Sequence, residues 1–490
     1  MKRSIAIILV AAIILITFSS RLLISLQTEE FSYDAYFGLR QVENIQEHGL
    51  PLFEDPLSYG GRSHLFPPLF FYLIAAFSFL GSTLAAKIVP NLFSSLIAIP
   101  IYLIAFRFTK NRSISVMAAF FSAFIPIFFA RINDISSYSF VVPLMFFFLY
   151  SLMRLNEKRH IYLSLFFLVL LVLAHASVFI IILSLLLYMM LVKIESMPVQ
   201  NKKQEMILFA SFLALWFYFI VYKKAFIIHG SLVIWQNIPL EILTNYFYDL
   251  NLIQSIYYIG LVPVILGIFG VYAVLFKAKK KNVLLVVAIF LTVLLLLWLK
   301  LLPFRAGLVF LGIAAVLLSS YTVKLAYSYL KKTKIPNLAN WFLAGLALIF
   351  LLTSVIPSFN LALNNMNTVP TSEEVTALNW LKNNTPENST ILARVEEGQM
   401  INYFTHRKTV IDDHFLMISD AQQRYEDVQE MFSLRLQTEV LRRMTNYGVD
   451  YIYFSGKFGP EEKLYYAEDN CFKLKYNETV KIYEVECTIK

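Results

Sequence analysis

The feature that most constrains this sequence is a succession of apolar segments that fills most of its first 357 residues. A transmembrane α-helix needs about 20 consecutive, predominantly apolar residues. Only 15% of the chain is charged, well below the roughly 25% of a typical soluble domain. The sequence therefore predicts an integral membrane protein with about eleven spans. These are residues 5–26, 85–108, 113–130, 138–153, 161–174, 177–192, 206–222, 256–276, 283–299, 304–323 and 341–356.

Basic residues orient the predicted spans. Lys2 and Arg3 precede the first span, and alternate threading places every dense basic loop on their side of the membrane. Cytoplasmic loops carry an excess of lysine and arginine, so we expect a cytoplasmic N-terminus and an extracytoplasmic C-terminal tail. The net charge is +9, with +15 before residue 358 and −6 after it. The positive charge therefore flanks the membrane and does not indicate a nucleic-acid partner.

Composition changes sharply near residues 357–370, which predicts a transmembrane domain over residues 1–357 and a soluble domain over residues 358–490. Helical and strand-like patterns alternate in the tail and indicate a small α/β domain. Cys471 and Cys487 flank a predicted hairpin, so we expect a disulfide if the tail faces an oxidising compartment; two unpaired thiols are the alternative. The expected fold is an all-α polytopic membrane bundle with a C-terminal extracytoplasmic α/β domain.

The polar loop over residues 27–84 is the first candidate for a functional site, because polar groups at the rim of a membrane bundle can act on a lipid-borne substrate. Residues 65–80 are apolar but short, and we expect them to be half-buried or interfacial. Asp34 follows the first span so closely that it should lie near the membrane interface. Its carboxylate could take a proton from an acceptor hydroxyl or orient an acceptor amide. A helix cap or a salt bridge within the loop is the alternative.

Asp134 lies in the next predicted outer loop, within ARINDISSYSF. Both loops should close over the same face, so Asp34 and Asp134 could converge as a carboxylate pair. Such a pair could divide acid and base roles, or hold a divalent cation such as Mg or Mn through oxygen ligands. A short turn that uses Asn133 and Asp134 is the alternative.

Further candidates for substrate binding are cationic or imidazole side chains near the same face. Arg305 and Lys300 interrupt the pattern of basic inner loops, and an arginine there could pair with a phosphate or reach lipid headgroups. His175 lies in a predicted turn between two spans, where it could contact a phosphate or a sugar hydroxyl, or simply complete the turn. Arg62 and His64 precede Phe-Pro-Pro in the first loop. The triplet at residues 412–414, Asp-Asp-His, looks like a set of metal ligands, but adjacent side chains point in different directions, so it is interpreted mainly as a polar strand end.

These segments resemble the C-type (GT-C) integral-membrane glycosyltransferases. SYDAYFGLR at residues 32–40 is similar to their first-loop aspartate motif, and FPPLFFYLIA at residues 66–75 resembles the protein mannosyltransferase and aminoarabinose-transferase branch. LPFRAGLVF at residues 302–310 resembles the late-helix arginine of oligosaccharyltransferase catalytic subunits, which meets the donor phosphate. Residues 391–415 resemble the stretch around the Trp-Trp-Asp-Tyr-Gly signature of those subunits, but Val-Glu-Glu-Gly-Gln at residues 395–399 stands in its place.

The resemblance implies an inverting transfer of a sugar or oligosaccharide from a polyprenyl-phosphate-linked donor, with a protein or lipid acceptor at the outer membrane face. Asp34 would be the base or the acceptor-orienting group, Asp134 its partner or a metal ligand, and Arg305 the phosphate-binding group. A non-catalytic scaffold or lipid-carrier-binding protein built on the same bundle is the alternative. A transporter is disfavoured because charged residues avoid the middle of the spans. The sequence contains no P-loop, Rossmann fingerprint, zinc spacing or nucleophile elbow.

Overall fold

The computed structural model describes residues 1–247, 249, 251–277, 280–461, 463–467 and 471–489, so Ala278 and Lys279 of the predicted basic loop 277–281 lie outside the described residues. A helical bundle occupies most of the chain and a mixed sheet domain follows it. Its helices are α1 (Arg3–Ser25), α2 (Ala35–His48), α3 (Leu69–Ala76), α4 (Ser82–Ser95), α5 (Ala98–Thr109), α6 (Arg112–Ala123), α7 (Pro126–Phe129), α8 (Tyr138–Leu152), α9 (Lys158–Ala174), α10 (Val178–Ile194), α11 (Asn201–His229), α12 (Leu240–Tyr246), α13 (Leu252–Ile259), α14 (Leu261–Tyr272), α15 (Lys281–Trp298), α16 (Phe304–Leu330), α17 (Leu338–Phe350) and α18 (Ile356–Met366).

The polytopic helical architecture agrees with the prediction, but the count of eleven spans is not confirmed. Among the described residues, six helices are long and apolar enough to cross a membrane, or up to seven if the α13–α14 pair, bent by 111°, is one span. Helices α6, α8 and α10 are apolar but shorter, with 10–17 residues. At 1.5 Å per residue, a helix of that length reaches only about 15–26 Å. Residues 65–80 contain the eight-residue α3, which is too short to span, as expected.

The predicted polar loop over residues 223–254 is mostly helical, which corrects that expectation. Helix α11 runs through Lys223 and Lys224 to His229, because lysine is a good helix former. Gly230, with φ of 56°, ends the helix in the left-handed region. A 3₁₀ turn over Gly230–Trp235 and the short α12 follow.

Helix α16 lies at the centre of the bundle, with 94% of its most apolar 18-residue window buried. Gly267 and Gly270 of α14 approach it closely. A Cβ atom on Gly270 would lie 2.7 Å from the carbonyl oxygen of Leu318, so only glycine allows this contact. Small residues at helix crossings permit this kind of backbone approach in membrane proteins.

The C-terminal domain is built on a five-stranded sheet with the strand order β4-β3-β5-β7-β6. Strand β3 is parallel to β4 and β5, whereas β5, β7 and β6 are antiparallel. Cys471 and Cys487 form a disulfide beside the β6–β7 hairpin. The elements of the first loop and the tail are β1 (Glu54–Asp55), β2 (Arg62–Ser63), α19 (Ser372–Asn384), β3 (Thr390–Leu392), α20 (Gly398–Thr405), β4 (Lys408–Thr409), α21 (Ala421–Ser433), α22 (Gln437–Tyr447), β5 (Tyr451–Phe454), β6 (Phe472–Asn477) and β7 (Lys481–Val485).

The first polar loop docks onto the edge of this sheet. The Thr409 amide donates to the Leu57 carbonyl oxygen at 3.0 Å, and the Tyr59 amide donates to the Thr409 carbonyl oxygen at 3.1 Å. These bonds satisfy backbone groups of the edge strand β4 that would otherwise be unpaired. The loop is therefore held between the bundle and the tail, where the cavity described below opens.

Candidate active-site cavity

A cavity of about 1900 Å³ lies between one end of the bundle, the first loop and the tail domain. It exceeds the roughly 300–1,000 Å³ of typical small-molecule sites, so it can accept a larger substrate. Of the seven site residues suggested by the sequence, six line it, and only Lys300 does not. The six are Asp34, Arg62, His64, Asp134, His175 and Arg305.

Backbone contacts bring Asp34 and Asp134 to the same wall. Asp34 precedes the first residue of α2, and Asp134 lies in the connection between α7 and α8. The Ser32 amide donates to the Asn133 carbonyl oxygen at 3.3 Å, which joins the two segments beside both carboxylates. The Ser25 hydroxyl also donates to the Asn133 side chain at 2.6 Å and fixes the second segment against α1.

Asp34 is neither a helix cap nor a salt-bridge partner in the described part of the chain. It occupies the N-cap position of α2, but its side chain makes no capping hydrogen bond. It is exposed, and the surface that it exposes faces the cavity, which is partly open. Burial in this enclosure, then the negative charges of Asp413 and Asp134, raise the pKa of Asp34 to about 7, although His414 and Arg305 oppose the shift. A carboxyl group with this pKa is suited to accept a proton near neutral pH.

Arg305 supplies a positive charge to the same space. It is the second residue of α16, directly after the turn at Pro303, and its side chain is exposed to the cavity. No carboxylate lies within salt-bridge distance of its guanidinium among the residues that the structure describes. Arg131 also lines the cavity, with its guanidinium 5.4 Å from the centre of the Tyr138 ring. An arginine without a carboxylate partner beside a cavity is suited to pair with an anionic group of a ligand.

His175 completes a turn and also faces the cavity, so both interpretations of this residue apply. Its Nδ1 accepts a hydrogen bond from the Ser177 amide at 3.0 Å. Burial lowers the pKa of His175 to about 4, which keeps the ring neutral. With Nδ1 as an acceptor, Nε2 carries the proton and can donate to a ligand.

Arg62 and His64 line the cavity, but their polar groups hold the wall together. Arg62 pairs with Asp412 and lies 3.4 Å from Asp55, while His64 Nε2 lies 3.3 Å from the same Asp55 carboxylate. Arg40 completes this network with a bond of 2.6 Å to Asp55. Burial opposes ionisation of Asp55, but the His64 hydrogen bond and the charges of Arg40 and Arg62 hold its pKa well below the usual range. These contacts favour a positioning role over direct substrate binding.

Lys300 does not reach the cavity. It lies in the connection between α15 and α16 with φ of 54°, and its ammonium is 2.9 Å from Asp249. Lys300 lies in this left-handed turn, whereas Arg305 lies in the first turn of the following helix. The two side chains therefore have different surroundings. The predicted substrate contact of Lys300 therefore has no support from its position.

The tail domain contributes cavity residues that the sequence interpretation missed. Asp413, His414 and Glu396 all line the cavity. The His414 ring stacks on Phe37 of α2 at 3.9 Å, one turn beyond Asp34, and its Nδ1 lies 2.9 Å from Asp413. The interpretation of residues 412–414 as a polar strand end is therefore incomplete, because the fold places this end of β4 over the bundle. The adjacent carboxylate and imidazole side chains in the sequence could have indicated that this segment belongs to the site.

The carboxylates of the cavity suit a divalent cation. Asp412, Asp413 and His414 offer ligand atoms within 4.8 Å of one another. Both oxygens of Asp412 already bond to Arg62, whereas Asp413 and His414 contact each other at 2.9 Å and line the cavity. Asp34 and Asp134 face the same cavity, and their mutual repulsion would be relieved by a cation. Carboxylate oxygens with one imidazole are compatible with Mg or Mn.

A second group of contacts fixes the tail beside Asp34. The Tyr33 hydroxyl donates to Glu374 at 2.8 Å, and Lys457 donates to the same carboxylate at 2.6 Å. Glu374 also closes the capping box of α19 with Thr371. The residue directly before Asp34 is thus tied to the first turn of a tail helix, so the tail and the reactive segment are coupled.

No protein-family model and no curated protein matches the chain. Solved structures do. The oligosaccharyltransferase AglB of Archaeoglobus fulgidus, in complex with an inhibitory peptide and a dolichol-phosphate, aligns with a TM-score of 0.67 and 14% identity over 90% of this chain and 69% of that chain. An Archaeoglobus fulgidus oligosaccharyltransferase in complex with Zn and sulfate aligns with a TM-score of 0.62 and 13% identity over 89% of this chain and 67% of that chain.

A third solved structure aligns with this chain over almost the full length of both proteins. ArnT from Cupriavidus metallidurans, bound to undecaprenyl phosphate, aligns with a TM-score of 0.59 and 11% identity over 98% of each chain. Likeness at this level of identity establishes the fold. The chain has the fold of the GT-C integral-membrane glycosyltransferases, as the resemblance in its sequence predicted.

Proposed function

We propose that the protein is a membrane glycosyltransferase that moves a sugar or oligosaccharide from a polyprenyl-phosphate-linked donor to a protein or lipid acceptor at the extracytoplasmic face. The observation that carries this proposal is the meeting of Asp34, Asp134 and Arg305 in one cavity. A scaffold that had lost its chemistry would have no need to keep a carboxylate of raised pKa opposite an arginine without a carboxylate partner.

The shape of the cavity supports a lipid-linked donor. Part of its lining is apolar and lies on the outer surface of α11, where Phe212, Leu215, Trp216 and Phe219 are each more than half exposed. Exposed aromatic and aliphatic side chains on a membrane helix face the acyl chains of the bilayer. A long isoprenoid can therefore lie along α11 in the membrane while its phosphate reaches Arg305. The fold neighbours bound to dolichol-phosphate and undecaprenyl phosphate are consistent with this class of ligand.

Arg305 and Asp34 have different roles in this proposed reaction because their charges are opposite. Arg305 pairs with the donor phosphate and stabilises its negative charge as the bond between the sugar carbon and the phosphate oxygen breaks. Asp34 takes the proton from an acceptor hydroxyl, or orients an acceptor amide, as the new glycosidic bond forms. Attack from the face opposite the phosphate inverts the configuration at the sugar carbon. The neutral His175 can donate a hydrogen bond to the phosphate or to a sugar hydroxyl.

A divalent cation would be held by Asp34, Asp134, Asp413 and His414. When bound, it supplies positive charge that offsets the negative charge of the departing phosphate. Arg62, Asp412 and Asp55 keep the tail side of this arrangement in place through their buried ion pairs.

The test is a transfer assay with the purified full-length protein, radiolabelled polyprenyl-phosphate-linked sugars and membrane extracts that contain candidate acceptors, with and without Mg or Mn. We expect labelled product from at least one donor. Glu47→Gln is the matched control for Asp34→Asn, since Glu47 lies on the same helix, is exposed and does not line the cavity. A protein that binds a labelled donor but forms no product with any acceptor would favour the scaffold.

A further inference from the structure

A second cavity of about 490 Å³ lies at the opposite end of the bundle; it is called the basic cavity below. Helix α16 connects the two cavities, because Arg305 at its start lines the first and Lys324 near its end lines the second. A rise of 1.5 Å per residue separates these positions by about 28 Å, close to the roughly 30 Å of a bilayer core. The basic cavity is therefore distinct from the proposed transfer site.

The basic cavity is lined by cations from four separate parts of the bundle. Among the described residues that line it there are six lysines and arginines and no aspartate or glutamate. They lie at the C-terminal end of α5, near the start of α11, at the start of α15, and near the C-terminal end of α16. The six are Arg107, Lys110, Lys203, Lys280, Lys281 and Lys324. Like charges at this density repel one another unless an anion lies among them.

Neutral groups, not carboxylates, hold these cations in place. The Lys203 ammonium donates to the Tyr188 hydroxyl at 3.1 Å, and Lys281 donates to the Pro198 carbonyl oxygen at 2.5 Å. Arg107 donates to the Met153 carbonyl oxygen at 2.8 Å. Lys280 lies 5.3 Å from the centre of the Tyr321 ring. Carbonyl and ring contacts orient a cation but leave its charge uncompensated.

Two of the cations are built into the protein and do not simply extend towards the membrane surface. Lys203 is only 8% exposed. Arg107 has a buried Nε with no hydrogen-bond partner in the described structure. A buried donor without a partner is costly, and a ligand oxygen in the cavity would satisfy it. By contrast, Lys331 and Lys332 at the end of α16 are exposed, as expected for cations that meet lipid headgroups.

We propose that the basic cavity binds a phosphate-bearing anion. Several lysines and one arginine match the two or more negative charges and multiple acceptor oxygens of a phosphate group better than the single charge of a carboxylate. The volume suits a headgroup or a small soluble phosphate compound. Apolar lining residues such as Leu152 and Val283 would accommodate the first atoms of an acyl chain. A lipid headgroup and a soluble phosphate share this chemistry, and the experiment below separates them.

The test is isothermal titration calorimetry of the full-length protein in a neutral detergent, with inorganic pyrophosphate and with dihexanoylphosphatidic acid as separate probes. We expect one or both probes to bind, and Lys203→Gln and Lys324→Gln each to weaken binding by about tenfold or more, since a hydrogen bond to a charged group contributes about 1.5–3 kcal/mol. Lys331→Gln is the matched control at the same end of the bundle and should bind like the wild type.

The exposed Lys110 provides a variant that does not disturb buried packing, and Lys110→Gln should also weaken binding. Binding of phosphatidic acid alone would identify a lipid headgroup as the ligand, and tight binding of pyrophosphate would identify a soluble phosphate. Absence of binding by both probes, or affinities unchanged in Lys203→Gln, Lys324→Gln and Lys110→Gln, would overturn the proposal.

Discussion

Asp34 and Asp55 lie in the same loop, 21 residues apart, and their surroundings differ in almost every respect. Asp55 is 1% exposed and bonds to Arg40, Arg62 and His64, which hold its pKa well below the usual range. Asp34 faces a large cavity without an ion-pair partner in the described structure, and burial together with neighbouring carboxylates raises its pKa to about 7. One carboxylate stabilises the loop. The other has a destabilised charged form, which is the property that the proposed proton transfer would use.

Loss of the Asp55 charge should have the largest effect on stability. Asp55→Asn leaves Arg40 and Arg62 with uncompensated buried charge, and breaking a buried ion pair in this way typically costs about 3–5 kcal/mol. We expect the thermal unfolding midpoint in detergent to fall by about 3–5 °C. Glu54→Gln is the control, because the neighbouring Glu54 is exposed and bonds only to the Ser63 hydroxyl. Equal midpoints for the two variants would contradict the structural role of the network.

Removal of the disulfide should have a smaller effect, confined to the tail. Cys471 and Cys487 are 16 residues apart, and closing a loop of this length stabilises a protein by about 3 kcal/mol in the chain-entropy description. Cys471→Ser with Cys487→Ser should therefore lower the stability of the tail and leave the bundle folded. Limited proteolysis of the tail, with and without reductant, measures this. Free thiols in protein prepared without reductant would contradict the bond.

The next prediction concerns Arg305, which places a positive charge in the cavity. Arg305→Ala removes the proposed charge-assisted contact to the donor phosphate, and such a contact contributes about 1.5–3 kcal/mol, so donor affinity should fall by roughly tenfold to a hundredfold. Lys223→Ala is the control, since Lys223 is exposed and does not line the cavity. Donor titration of both variants is the measurement. Wild-type donor affinity in Arg305→Ala would assign the phosphate to another group, with Arg131 next in position.

The pH dependence of transfer should follow Asp34. In the proposed mechanism the carboxylate is the active form, so a pKa of about 7 predicts that kcat/KM, measured without a divalent cation that would lower this pKa, rises with pH through this value. Below it, the rate should fall by about tenfold for each pH unit as the carboxylate is protonated. Asp55 stays ionised over the same range because its pKa is low, so the Asp55 ion-pair network should not contribute to this pH dependence. A profile that is flat between about pH 5 and 8 would contradict Asp34 as the base.

The sequence was informative for those site residues whose location follows from their position next to a predicted span. Asp34 follows the first span and Arg305 begins a late one, so their places at the same end of the bundle follow from threading the spans. The contributions of Asp413 and His414 depend on how β4 is placed over α2, which no periodicity in the sequence encodes. Lys300 shows the converse, because a left-handed turn five residues before Arg305 directs it to Asp249.

The predicted count of eleven spans is not confirmed, for a related reason. Hydropathy identifies apolar segments, and each predicted segment does contain helix. It does not reveal that α6, α8 and α10 are short or that α13 and α14 meet at 111°. For α14, packing against α16 matters, because Gly267 and Gly270 of α14 allow close approach. In the tail, alternating helical and strand-like patterns are local signals, which is why its α/β character could be predicted from the sequence.

The most direct test of the role of Asp34 is to measure turnover, donor affinity and thermal stability of Asp34→Asn on the same preparation. Asparagine keeps the shape of the side chain and removes its basicity, so turnover should fall by about 10²–10⁴. Donor affinity and the unfolding midpoint should stay close to those of the wild type, because Asp34 pairs with no described residue and carries the wrong charge to attract a phosphate. Near-wild-type turnover in Asp34→Asn, with the donor still bound, would contradict the assignment and leave a bundle that binds the carrier without using this carboxylate.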